Sequence, residues 1–236
     1  SDHPREGAPF PTPPPEAHPQ VLIIAQTTFV SCQTDKDTHM HPLIDRLDRA
    51  LREQRPRSYA DLRPGASQKE IAALRACAGM PLPELLIELL QWRNGQQRCT
   101  LHYNQSLMSA DHIIQTTEMM RVLGDGEFDH KDWWCHNWIP FLHNGGGDHL
   151  CVDLDGAFAD EGGIPGQIID FCHDAEFRDI LYPSFSAWLE MLVASTERGM
   201  WSDEDGQPES WKASKVYLDS LSSGYPKPVR LDIPYD

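Results

Sequence analysis

Basic residues are scarce. The 236-residue chain has 20 Lys and Arg against 36 Asp and Glu, a formal net charge of -16 and a pI near 5.0. Nucleic-acid binding needs a basic surface to neutralise phosphates, so direct nucleic-acid recognition is excluded as the main role. Also missing is any run approaching the roughly 18 apolar residues of a membrane span. There is no C-x-x-C pair; Cys32, Cys77, Cys99, Cys135, Cys151 and Cys172 are scattered. Several lie in apolar segments, where a free cysteine behaves as a small hydrophobe. A chain of this size does not depend on disulfide staples, so reduced thiols and a cytoplasmic protein are expected. Internal repeats are absent as well.

What is present fits one large domain with tails. Apolar residues make up 40% and charged residues 24%, enough for a packed core. The charge is uneven. Residues 124–179 hold 13 acids against Lys131 and Arg178, whereas residues 40–123 hold 9 acids against 11 bases. Such a block is either a solvated surface or an acidic binding face suited to a basic protein partner.

Residues 1–20 contain seven prolines, a composition that cannot build a core. The segment 1–39 is therefore expected to be disordered or non-core, with Met40 as the natural start. The apolar patch from Val21 to Val30, ending Ser31-Cys32, lacks the basic flank of a signal peptide. From Pro42 a helix is expected, with Leu43, Leu47, Ala50 and Leu51 on one face and Pro56 as its stop. Ser67 and Glu70 form a capping box for a second helix, which Gly79 ends. Pro83 opens a third, with Leu85, Leu86, Leu89 and Leu90 inward and Asn94-Gly95 as the stop.

Cys99 to Tyr103 reads as a short strand, and Ser109 caps a helix to about Val122 with Ile113, Met119 and Met120 inward. Strands follow at Trp138–His143, His149–Asp155 and Gln167–His173, the first two joined by a glycine turn at 144–148. In the second, Leu150, Val152 and Leu154 point inward and Cys151, Asp153 and Asp155 outward. A helix spans Pro183 to Arg198, and residues 201–236 form an acidic extension with a short helix near Trp211–Leu221. Hairpin-length connections leave no room for crossover helices, so the fold is a single α+β domain over 40–200, with helices on a mostly antiparallel sheet.

No residues group into a catalytic site. Cys135-His136 and Cys172-His173 are adjacent pairs, whose side chains point to opposite faces of a strand, so neither makes a metal pair nor a nucleophile with its base. The 144–148 loop lacks the Lys-Ser/Thr of a P-loop and leads into a strand. No metal or cofactor is assigned. Trp133, Trp134 and Trp138 are dense; aromatics at that spacing wedge a sheet, and Trp133 and Trp134, beside the acidic loop, are also candidate interface anchors. The candidate partner-binding face therefore comprises Asp153, Asp155, Asp160, Glu161 and Asp174 with Trp133 and Trp134.

Leu82-Pro83-Glu84-Leu85-Leu86 through Trp92-Arg93-Asn94-Gly95 resembles a signature of the SUKH superfamily, in its Smi/Knr branch. Trp138-Ile139-Pro140-Phe141-Leu142 with Gly147-Asp148 and Cys151-Val152-Asp153-Leu154-Asp155 is similar to that family's hairpin. Gly166-Gln167-Ile168-Ile169 resembles its following strand, and Ser184-Phe185 with Trp188-Leu189 its closing helix. The resemblance covers about residues 60–198 in the family's order. It implies an α+β domain without catalysis. Bacterial members resemble immunity proteins that neutralise a cognate polymorphic toxin by stoichiometric binding; fungal members resemble regulatory scaffolds in cell-wall signalling. The short flanks favour the bacterial style, with the cell-wall or stress-signalling scaffold as the alternative. An acidic face would steer association with a basic toxin. A third alternative is a metal-dependent enzyme using Asp153, Asp155 and His149.

Overall fold

The computed structural model describes residues 40–126, 133–208, 210–221 and 223–231. The expected non-core segment 1–39 lies outside the described residues. Helix α1 spans Pro42–Gln54, with Pro42 in its first turn and the His41 ring accepting from Leu43 N at 3.2 Å. Its buried side is Ile44, Leu47, Ala50 and Leu51. Pro56 ends α1 as expected, but it also opens a six-residue helix, α2 (Pro56–Asp61), too short for periodicity to show. The first amides of α2 are satisfied from a distance: Asp203 accepts from Arg57 N and Ser58 N, both at 3.0 Å, a carboxylate at a helix N-terminus.

Helix α3 (Gln68–Ala78) begins with the expected Ser67–Glu70 capping box and stops at Gly79, in the left-handed conformation at φ 70°. Helix α4 spans Glu84–Trp92. The expected strand at 99–103 is not there. The chain bends instead into a tight turn in which His102 bridges Gln105, with Tyr103 and Asn104 at φ 46° and 45°. Strand β1 (Ser106–Leu107) follows, and then α5 (Ala110–Gly126), whose Ile113 and Met120 are buried while Met119 is exposed.

Among the described residues the sheet has six strands in meander order: β1, β2 (Trp138–His143), β3 (His149–Asp153), β4 (Ile168–Phe171), β5 (Phe177–Tyr182) and β6 (Lys227–Arg230). All neighbours are antiparallel. Besides the two-residue β1, two strands were unforeseen. β5 carries Arg178-Asp179 at its start, and β6 has one buried residue, Val229. The segment after 200, expected as an extension, thus supplies an edge strand and the buried Trp201. Helix α6 (Phe185–Glu197), capped by Ser184, lies against α1, α4 and β5, and α7 (Trp211–Leu221) against α6.

Both faces of the sheet are covered. One, with Ile139, Leu150, Val152 and Ile168, packs on the helices; there Phe141 meets Trp188 at 4.7 Å and Phe185 at 5.2 Å between ring centroids. The other face, with Trp138, Cys151, Ile169, Phe171, Ile180 and Val229, is covered by Met120, Trp134 and half-buried groups of the 133–135 and 157–158 segments. Each large apolar side chain so buried stabilises by about 1.5–3 kcal/mol. The expected alternation of β3 is right, but its outward side does not meet water.

Candidate functional site

This second layer overturns two of the expected contact residues. Asp153 is wholly buried. It accepts from Gln167 Nε2 and Ala157 N at 2.7 Å and from Gly156 N at 3.1 Å, which pins the loop after β3. Burial raises its pKa. Trp134 is 4% exposed and stands edge-on to Trp138 and Phe171. Neither side chain is presented to a partner.

The remaining candidates divide between the two ends of the sheet. Asp155, Asp160 and Glu161 are exposed on the β3–β4 connection, where Asn137 donates to Asp155 at 2.7 Å. Asp174 is exposed on the β4–β5 turn, at the opposite end of β3. Five residues of strand separate the ends, about 13 Å at 3.3 Å per residue. The expectation that all these acids share one surface is therefore corrected: adjacent hairpin loops of a meander emerge at alternate ends.

The Asp174 end is the more elaborately built. Asn144 Oδ1 accepts from Gly146 N at 2.7 Å and Asp148 N at 3.1 Å, so the glycine loop uses these amides internally, as a turn does. Asp148 accepts from Asn144 Nδ2 at 2.6 Å and from His173 N at 3.0 Å, with the His173 ring 2.8 Å away. These bonds hold the Asp148 carboxyl below the usual range, against its burial, and raise the His173 pKa. Trp133 is half-buried, edge-on to Phe171, and donates to His173 O at 3.3 Å. Behind it Arg178, fully buried, gives its guanidinium to the carbonyls of Cys172, Ala175, Phe177 and Trp133 at 2.8–3.0 Å. That clamp joins the β4–β5 turn to the 133–135 segment.

Beside this end opens a cavity of about 460 Å³. Its walls include His102, Tyr103, Asp148, Asp170, Tyr182, Lys215, Asp219 and Tyr225. Asp170 comes from β4, paired with Leu150 and so on the helix-facing side of the sheet. Burial, together with repulsion from Asp179 and Asp148, lifts its pKa to about 6. His102 is 2% exposed, and burial next to Arg55 holds its pKa down to about 3, so its ring is neutral. Lys215 pairs with Asp219 at 3.1 Å on the exposed rim. This cavity was not foreseen. Its one signal in the sequence is Asp170, a carboxylate on the inward side of the apolar run Ile168–Phe171.

Chemically the end is a poor nucleophile site. Burial and the Asp174 carboxylate push the Cys172 thiol up to about 11, against a reactive thiolate. Asp148, Cys172 and Asp174 bring one donor atom each within 4.8 Å of one another. The three residues expected for a metal enzyme are not assembled: His149 stacks on Phe171 at the start of β3, and Asp153 is tied up at its end. No helix among the described residues is long and apolar enough to cross a membrane.

No curated protein matches the chain significantly. Residues 65–191 match the SMI1 / KNR4 family (SUKH-1), from the capping box before α3 to the middle of α6, and the helices and antiparallel hairpins lie in the order the motifs require. With more than half its length matched, the chain belongs to the SMI1 / KNR4 family.

Proposed function

We propose that this protein is a non-catalytic binding domain, a cytoplasmic immunity protein that neutralises a cognate toxin by stoichiometric binding. Family membership supports a protein-interaction role. The observation that carries the reading to a basic partner is the acidic end of the sheet, where Asp148, Asp170, Asp174 and Asp219 surround or adjoin one open cavity. Low-dielectric walls in which carboxylates outnumber the one ammonium of Lys215 focus the field and speed capture of an oppositely charged protein. Toxins that act on nucleic acid carry such basic surfaces.

The test is to sequence the genes flanking this one and to co-express the chain with a toxin domain encoded there. The expected result is restored growth and a one-to-one complex in light scattering. Growth arrest with no complex would overturn the reading and favour a regulatory scaffold.

A further inference from the structure

We propose that the cavity between β4, the 102–105 turn and α7 is a guanidinium site: it receives an arginine side chain of the bound partner, with Asp170 as its counter-ion. This rests on the reading of the protein as a binder of basic proteins and names the group that its acidic end recognises.

The lining determines the class of ligand. At about 460 Å³ the cavity lies within the roughly 300–1,000 Å³ range of ligand sites. Its charged groups are three carboxylates and one ammonium. Lys215 is already paired with Asp219. Asp148 is held by Asn144 and His173. Asp170 alone has neither a hydrogen bond nor an ion pair among the described residues. An anion is thus repelled, and an apolar group would leave Asp170 without a partner.

His102 lines the cavity but is 98% buried, and its ring packs edge-on against Tyr103 and Trp201, so the polar group the cavity offers is the Asp170 carboxylate. A guanidinium has five donors in a planar fork and can meet one carboxylate with two parallel bonds. Its flat faces also stack on aromatic rings, and Tyr103, Tyr182 and Tyr225 stand in the walls. A hard metal ion would instead require several converging oxygens.

The full chain is titrated with N-acetyl-arginine amide and followed by amide NMR, with the uncharged citrulline analogue as control. Saturable shifts at His102–Gln105 and Ile169–Cys172, absent with citrulline and weakened about tenfold or more in Asp170→Asn, support the site. A dispersed spectrum shows that the variant is folded. Equal shifts from citrulline, an undiminished response in Asp170→Asn, or tighter binding of calcium at the same residues would overturn it. The two readings fail separately. A toxin complex that forms equally well with Asp170→Asn overturns the cavity assignment and leaves the binding function standing. Saturable arginine binding without a toxin complex supports the cavity and overturns the toxin.

Discussion

Gln167 donates its side-chain amide to the Asp153 carboxylate at 2.7 Å, inside the second layer of the sheet, and to Ala157 O at 2.9 Å. The same Gln167 accepts from Ile164 N at 3.0 Å. One amide and one carboxylate thus close the long β3–β4 connection onto the end of its own hairpin. The pair is a fastening for the loop that carries Asp155, Asp160 and Glu161, and its role in any binding is indirect.

Asp153→Ala should therefore destabilise the fold. It leaves Gly156 N, Ala157 N and Gln167 Nε2 without their acceptor, and losing charge-assisted buried bonds costs on the order of 3 kcal/mol. Thermal denaturation should show a drop of about 6–12 °C for a domain of this size. A melting temperature within a degree of the parent would show that the loop is held by something else.

The two central glycines of the 144–148 turn should part company. Gly147 has φ 108°, and a Cβ there would sit 3.1 Å from the His173 ring; Gly146 has an ordinary φ and meets only the Asn144 amide. Gly147→Val combines left-handed strain of about 1–2 kcal/mol or more with a clash at the His173–Asp148 pair. Gly146→Val should be nearly neutral. Paired melts check this, and equal losses would contradict it.

Asp170→Asn should stabilise the protein at pH 7.5. An ordinary aspartate titrates near 3.9, and this one near 6. Between those values the folded state keeps a proton that the unfolded chain has released, so stability falls as pH rises from about 4 to 6. The loss amounts to at most about 3 kcal/mol. Removing the charge should raise the melting temperature by about 5 °C at pH 7.5 and leave it unchanged at pH 4. A lower value at pH 7.5 would mean that Asp170 has a stabilising partner. Greater stability with weaker guanidinium binding is the trade expected of a binding residue.

Much of this was legible in the sequence because it is local. The Ser67–Glu70 box, Gly79 and the alternation of Leu150, Val152 and Leu154 each follow from short-range rules. Solvent exposure is not local. Cys151 and Asp153 alternate like a solvated face, yet Met120, Trp134 and the loop at 157–158 cover that side of the sheet. The density of tryptophan at 133–138 was the available hint. β5 escaped notice because Arg178 looks like a surface residue. Its burial depends on four carbonyls contributed by two separate segments, 172–177 and Trp133, which no periodicity records. The cavity likewise joins a turn, a strand and a helix more than 40 residues apart in sequence. Only Asp170 marked it.

The central claim is that the Asp174 end of the sheet captures a basic partner. Asp174→Lys with Glu176→Lys, the latter on the same β4–β5 turn and 3.8 Å from the exposed Arg230, reverses two charges there, while Asp160→Lys with Glu161→Lys does the same at the far end. Exposed charges contribute about 0–1 kcal/mol each to folding, so both variants should remain stable. Association with the toxin domain identified by co-expression is measured at low salt and at 1 M, where the screening length shrinks to about 3 Å. The account predicts slower association, by about tenfold, for the first variant at low salt, a difference that closes at 1 M, with a smaller effect for the second. An unchanged rate for Asp174→Lys/Glu176→Lys at both salt concentrations, or a larger loss for Asp160→Lys/Glu161→Lys, would contradict it.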